Sequence, residues 1–153
     1  MKWLIDIFTN PFLITGLSSW IIAQILKMII SSIINKRFDI KRIWGDGGMP
    51  SGHSATVTSL AVFSGLSIGF KTFQFALAAI LAIIVCHDAM GVRRETGKQT
   101  LLIKELVKSF EILSTEKLPE VKLKEFVGHT PVQVGAGILL GITNALLMYH
   151  VVL

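Results

Sequence analysis

Three short clusters of polar and conformationally unusual residues interrupt an otherwise apolar chain, at residues 47–54, 87–94 and 128–133. His53 lies in the first cluster and His129 in the third, each beside glycine and proline where a helix is expected to begin. Two imidazoles on one face supply what metal-free cleavage of a phosphate monoester requires. One ring attacks phosphorus and forms a phosphohistidine, and the other protonates the leaving alkoxide.

The first and third clusters also carry the signals of helix N-termini. Ser51 or Ser54 can cap the helix that follows the first cluster, and Thr130 is a natural N-cap with Pro131 at the first helical position. The N-terminus of a helix attracts negative charge, and its backbone N–H groups can hold oxyanions. Phosphate is therefore the expected ligand of this face.

Cationic side chains near the same clusters agree with a phosphate ligand. Arg93 and Arg94 offer planar forks that match phosphate oxygens, whereas Lys27 offers a point charge inside an apolar run. A charge in mid-span costs ~2.5–3.5 kcal/mol on insertion scales unless it is paired or hydrated. Lys27 therefore either snorkels to the interface or pairs with the bound anion or with Asp88. His87 adjoins Asp88, and both are assigned supporting roles.

A metal centre is the alternative use of the same side chains. Its ligands would be His53, His87, Asp88 and His129. Their spacing does not resemble a compact ligand motif such as H-E-x-x-H, and basic residues crowd the region. The sequence therefore predicts neither a metal nor any other cofactor.

The composition indicates the class of protein that positions these clusters. Of 153 residues, 52% are hydrophobic and 16% are charged, against about 25% charged in soluble domains. We therefore predict an all-α integral membrane bundle in one domain, residues 1–153. About four spanning helices are expected, at 12–34, 51–70, 73–90 and 131–153. The second and third are close to the minimum length, so either could instead be a helix buried within the bundle.

Residues 99–126 show a helical period of apolar residues next to charged ones. This pattern predicts an amphipathic segment between the third and fourth spans. It would lie on the membrane surface or cap the bundle, and a solvated linker helix is the competing interpretation.

The distribution of basic residues predicts the orientation in the membrane. With four spans, one face carries twelve lysines and arginines in the two connecting segments, and the other carries Lys2 and Lys71. The positive-inside rule then places the three clusters in the cytoplasm and the N-terminus outside a multi-pass cell-membrane protein. The net charge of +5 is better explained by anionic lipid than by nucleic acid.

The motif Pro50-Ser51-Gly52-His53 matches the P-S-G-H motif of type 2 phosphatidic acid phosphatases and the related vanadium-dependent haloperoxidases. Residues 48–53, 87–94 and 128–134 together resemble the divergent branch of that superfamily. The resemblance implies a helical membrane phosphatase that acts through phosphohistidine without metal.

Carried over to this chain, the resemblance implies that His129 is the nucleophile and His53 the general acid. It assigns substrate phosphate binding to Lys27, Ser51, Gly52, Arg42 and either Arg93 or Arg94.

Three departures from the ordinary family bear on the chemistry. The family's first motif, a lysine followed several residues later by Arg-Pro, has no clean match, and Arg42 is the candidate for its arginine. Arg94 and His129 are separated by 34 residues rather than by a few. Gln133 occupies the position, four residues after the nucleophile, at which the family usually has an acid. An amide can still fix the imidazole tautomer, but it stabilises an imidazolium less well, which leaves Asp88 as a substitute orienter.

The function expected from these features is hydrolysis of a phosphate monoester or pyrophosphate on a lipid. A non-catalytic binder or transporter of anionic lipid is the alternative, and Gln133 in place of an acid favours it. A scaffold subunit of a larger membrane complex is a third interpretation. Gly137-x-x-x-Gly141 is interpreted as a packing motif, with a homo-oligomer left open.

Overall fold

A computed structural model describes residues 2–36, 48–113 and 128–152 of the chain. Within those ranges all regular structure is α-helical and there is no strand, which confirms the predicted all-α class. The helices are α1 (Lys2–Phe8), α2 (Pro11–Asn35), α3 (Gly52–Ile68), α4 (Phe73–Met90), α5 (Val92–Leu113) and α6 (Pro131–Val152).

Local capping chemistry sets where the long helices begin. Asn10 precedes α2, with Pro11 at the first helical position, and its Oδ1 accepts a hydrogen bond from the Phe12 N–H at 2.9 Å. Thr72 caps α4 by accepting from the Phe75 N–H at 3.3 Å. Each cap satisfies a backbone donor that the first turn leaves without an intrahelical partner.

Helix α3 occupies the centre of the bundle and packs against α2, α4 and α6. It has 17 residues and is about 25 Å long at 1.5 Å per residue, which is short for a bilayer core. Its buried positions hold mainly small side chains, which let the neighbouring backbones approach closely. They include Ala55, Ser59, Ala61, Ser64 and Gly65.

Three helical runs in the described residues are long and apolar enough to cross a membrane: Pro11–Ile34, Phe73–Phe110 and Pro131–Val152. The predicted count of about four spanning helices is therefore not confirmed. The segment predicted to span at 51–70 forms α3, which stops at Ile68 because Gly69 leaves the helical conformation with φ 101°. Because α3 packs against α2, α4 and α6, it fits the alternative prediction of a short helix buried within the bundle.

The outer surface of the bundle is strongly apolar. Many large aliphatic side chains on α2, α4 and α6 are exposed and point away from the other helices. Lipid tails are the environment that suits such a surface. These side chains include Ile21, Ile25, Ile29, Ile80, Ile84, Leu139 and Leu146.

Polar side chains join α2, α3 and α6 inside this apolar bundle. The Asn144 Nδ2 lies 2.8 Å from the Ser19 Oγ, 3.0 Å from the Ser18 Oγ and 3.2 Å from the Thr15 carbonyl oxygen. The Ser59 Oγ donates to the same Thr15 carbonyl at 3.4 Å. Such interhelical hydrogen bonds stabilise membrane bundles by about 0.6–2 kcal/mol each, and here they set the register of the three helices.

The glycines of the Gly137-x-x-x-Gly141 motif lie in the contact between α6 and α3. A Cβ atom on Gly137 would stand 2.5 Å from the Ser51 carbonyl oxygen, and one on Gly141 would stand 2.6 Å from the Ala55 carbonyl oxygen. No other residue type fits this approach without moving a backbone. The motif is therefore a packing device within the chain.

We expect Gly137→Ala to lower the thermal unfolding temperature of the purified protein in detergent. The added methyl group overpacks the contact between α6 and α3, which lowers the free energy of unfolding by about 1–3 kcal/mol. Gly135→Ala is the matched control on the same helix, since a Cβ there meets nothing within 4 Å. It should leave the unfolding temperature unchanged or raise it, because alanine favours helix. Equal unfolding temperatures for the two variants would contradict the close packing of α6 on α3.

Helix α5 differs in position from the predicted amphipathic segment, which was placed at 99–126. The helix begins at Val92, directly after Gly91 and the end of α4. Its first turns lack an apolar stripe, so the periodicity gave no signal there. A Glu95–Lys98 ion pair at 2.6 Å supports these polar turns instead. The part of the prediction beyond Leu113 and before residue 128 lies outside the described residues.

Candidate functional site

The rings of His53 and His129 lie side by side, although 75 residues separate them in the chain. Their centroids are 6.2 Å apart, and the ring planes meet at 62°. His53 is in the first turn of α3 and is exposed, whereas His129 immediately precedes α6 and is 2% exposed. The structure thus brings the two predicted histidines to one end of the bundle.

Two backbone hydrogen bonds hold the three sequence clusters together. The Ser51 N–H donates to the Gln133 carbonyl at 3.0 Å, which joins the start of α3 to the first turn of α6. The His129 N–H donates to the Ala89 carbonyl at 2.9 Å, which joins the same turn to the end of α4. His129 is thus bonded through its backbone to the end of α4, and the helix that follows it is bonded to the start of α3.

The Gln133 side chain orients the His129 ring. Its Oε1 accepts from the Thr130 N–H at 3.1 Å and lies 3.3 Å from the His129 Nδ1. The Thr130 Oγ1 accepts from the Gln133 N–H at 3.4 Å, so Thr130 and Gln133 form a capping box. Since the Thr130 bond identifies Oε1 as an acceptor, the network assigns the proton to Nδ1 and the lone pair to Nε2.

Burial lowers the pKa of His129 below its ordinary value of 6.5. The positive charges of Lys27 and His53 act in the same direction, whereas the hydrogen bonds of the ring to Gln133 and to the Gly48 carbonyl oppose the shift. The neutral ring, which is the nucleophilic form, therefore persists at lower pH than in a solvated histidine.

We expect Gln133→Glu to raise the pKa of His129, because a carboxylate beside Nδ1 favours the imidazolium more than an amide does. Glutamate also completes the capping box with Thr130, so the cap is preserved. Histidine-specific NMR titration of the protein in micelles measures the change. Wild-type His129 should titrate below 6.5 and the variant at higher pH. An unchanged or lower value in the variant would show that Gln133 does not control this ring.

Lys27 is directed into the bundle and does not snorkel to the surface. It is 5% exposed, and its Cγ and Cδ lie 3.1 and 3.3 Å from the point where a Cβ on Gly48 would be. Gly48 has φ 104°, a conformation that favours glycine, so this position accommodates both the turn and the lysine stem. Its charge is close enough to act on His129.

Gly48 and Ala89 also help to position Lys27 and His129, and neither was predicted from the sequence to have this role. Gly48 meets the Lys27 stem and the His129 ring, and Ala89 accepts from the His129 N–H. A glycine just before the motif at residues 50–53 was a usable signal of positive φ. A backbone carbonyl on an alanine leaves no signal in the sequence.

Ser51 is the N-cap of α3 and is fully buried. Its Oγ accepts from the Ser54 N–H at 3.4 Å and from the Ser54 hydroxyl at 3.1 Å. These bonds give Ser51 a positioning role, and its contact with phosphate stays a prediction. Gly52 opens the helix beneath Trp20, whose Cδ1 lies 3.3 Å from the position of an added Cβ, so a larger residue would push the indole away.

The remaining predicted site residues lie at the end of α4, at the start of α5 and outside the described residues. Arg42 lies outside the described residues, and Arg93 and Arg94 are described only as backbone in the first turn of α5. His87 is exposed in the last turn of α4, and Asp88 beside it is half-buried. Within the described ranges no three histidine, cysteine, aspartate or glutamate side chains converge as metal ligands would.

Comparison with known proteins gives one family and one curated relative. Residues 8–144 match the family described as "Divergent PAP2 family". The relative, the "Uncharacterized membrane protein YuiD" of Bacillus subtilis (strain 168), is 37% identical over 154 residues, which cover 95% of this chain and 98% of its own. No solved structure matches the chain.

Proposed function

Because the chain belongs to the Divergent PAP2 family, we propose that it is a membrane lipid phosphatase that acts through a phosphohistidine. The substrate class is a lipid that carries a phosphate monoester or a terminal pyrophosphate. The observation that carries this proposal is the pair of imidazoles 6.2 Å apart, one exposed and one buried and oriented by Gln133.

The geometry supports a division of labour between the two rings. At this separation one phosphate can lie within hydrogen-bond reach, about 2.6–3.2 Å, of a nitrogen on each ring. His129 presents the Nε2 lone pair, since its Nδ1 proton is directed to Gln133. His53 is exposed and is thus the ring that exchanges protons with water and with the leaving group.

In the proposed reaction, the His129 Nε2 forms a bond to phosphorus while the phosphorus–oxygen bond to the lipid breaks. His53 gives its proton to the departing lipid oxygen. Water then attacks the phosphorus of the phosphohistidine while the bond from the His129 Nε2 to phosphorus breaks. His53 takes a proton from that water, and inorganic phosphate leaves. Lys27 and the N-termini of α3 and α6 supply positive potential for the phosphoryl oxygens.

The site is proposed to face the cytoplasm and to lie at the lipid surface of the bilayer. The excess of lysine and arginine on the face of the clusters supports a cytoplasmic site and an outward N-terminus. The substrate would be a lipid of the same bilayer, since the site lies at the end of helices whose outer surfaces suit lipid.

A binder or transporter of anionic lipid is the second candidate, and the amide at Gln133 favours it. An amide cannot carry the negative charge that stabilises an imidazolium during the reaction. The two histidines and Lys27 would then hold a phosphate headgroup without cleaving it.

Release of inorganic phosphate from lipid phosphates by the purified protein tests the proposal. Phosphate release that vanadate blocks at low concentration is the expected result, because vanadate can occupy the position of the phosphoryl group between the rings. Binding or transport of the lipid without phosphate release would instead identify the second candidate.

A further inference from the structure

Helix α5 exposes a broad apolar face that no other described element covers. Its members recur at helical spacing, and Leu106, at its centre, is 69% exposed. Among the described residues α5 packs only against α4. The face consists of Leu102, Ile103, Leu106 and Phe110.

Two further faces of α5 differ from the apolar one. Gly97 and Thr100 are buried on one side, and Lys98, Glu105 and Lys108 are exposed on another. At 100° per residue, Lys108 lies opposite the centre of the apolar face, Lys98 and Glu105 lie on one flank of it, and Gly97 and Thr100 lie on the remaining side. The helix therefore has the cross-section of an element at a boundary between an apolar and an aqueous phase.

The connection to α4 determines which apolar phase is available. Helix α4 belongs to a run that is apolar enough to cross a membrane, and it ends at Met90. Gly91 then departs from helical geometry, with φ −95° and ψ −92°, so α5 does not continue α4 as a regular helix. Where α4 leaves the hydrocarbon, α5 begins, and lipid is the apolar neighbour at that level.

The charge of α5 agrees with this neighbour. Its sequence carries five lysines and arginines against three glutamates. Basic side chains on a helix of this kind strengthen its attachment to anionic headgroups. We infer that α5 is an interfacial helix whose apolar face is seated in the lipid surface of the bilayer that α4 crosses.

Lipid docking of α5 has a consequence for the site. The end of α4, to which α5 is attached, contains Ala89, and the carbonyl of Ala89 accepts from the His129 N–H at 2.9 Å. Docking of α5 in the lipid surface would thus place the end of α4, and with it His129, close to the depth of the lipid headgroups. The inference that a substrate headgroup reaches His129 there rests on the proposed function. The docking of α5 in lipid does not depend on it.

Spin labelling of the full chain tests the docking without reference to activity. In a Cys86→Ala background, single cysteines replace Leu102, Leu106 or Phe110 on the apolar face. Further variants carry a single cysteine in place of Lys98, Glu105 or Lys108 on the charged side. The labelled proteins are reconstituted in vesicles of phosphatidylcholine and phosphatidylglycerol. Collision rates with oxygen, which enters the bilayer, and with a water-soluble nickel chelate are then measured at each site.

We expect the ratio of oxygen to nickel collisions to be high at 102, 106 and 110, low at 108, and intermediate at 98 and 105, which flank the apolar face. Nickel access at both sets of positions would overturn the inference, because α5 would then lie in water. Exclusion of both reagents at 102, 106 and 110 would also overturn it, since protein from the same chain or a second copy would then cover the face.

Discussion

Protein that carries His129→Ala is expected to release no phosphate from a lipid phosphate that the wild-type protein cleaves. The imidazole is the group that bonds to phosphorus, and alanine offers no replacement nucleophile. The substitution also leaves the backbone bond from residue 129 to Ala89 in place, so the connection of α6 to α4 should survive. Phosphate release from vesicles or mixed micelles measures the effect.

His150→Ala is the matched control, because His150 is exposed in the last turn of α6, at the opposite end of that helix from His129. It should keep wild-type turnover. Radiolabelled substrate phosphate should become attached to the wild-type and His150→Ala proteins in an acid-labile form, and not to His129→Ala. Normal turnover in His129→Ala would show that the assigned nucleophile is wrong.

His53→Ala is expected to lower kcat by about 10²–10⁴-fold, which is the usual contribution of a positioned general acid. The loss should be smaller for a substrate with a good leaving group, because such a group departs without a proton. A nitrophenyl phosphate ester compared with an alkyl lipid phosphate measures this difference. His53 is exposed, so its removal should have little effect on packing.

The dependence on leaving group separates an acid from a residue that only shapes the site. A structural role would lower kcat for both substrates by the same factor. His150→Ala is the control here too, since His150 is also exposed and lies in the last turn of α6, away from the site; it should keep wild-type kcat for both esters. An equal loss for both esters in His53→Ala would contradict the assignment of His53 as the proton donor.

Local signals in the sequence were sufficient to predict most of the helices. Composition and apolar runs indicate spans close to α2, α4 and α6, and the Thr130–Pro131 pair correctly marks the start of α6. These features act over one or two turns, so they can be seen without knowledge of the fold. The start of α5 was missed because its first turns are polar and lack the apolar stripe that periodicity requires.

The place of α3 could not be decided from its residues alone. Its apolar length is close to the minimum for a span, and whether such a helix faces lipid or protein depends on its neighbours. The central position follows from small residues on α3 that meet Gly137 and Gly141, where two backbones nearly touch. A pattern of small residues suggests packing, but it does not say against which helix.

The sequence by itself determined which chemical groups this protein has: two imidazoles at helix starts, a lysine in an apolar run and glutamine where an acid was expected. Only the tertiary structure decided that the rings lie 6.2 Å apart, that Gln133 is bonded to the cap as well as to His129, and that Lys27 faces inward. The reason is that residue types are local properties, whereas distance and burial arise from the packing of helices that are remote in the chain.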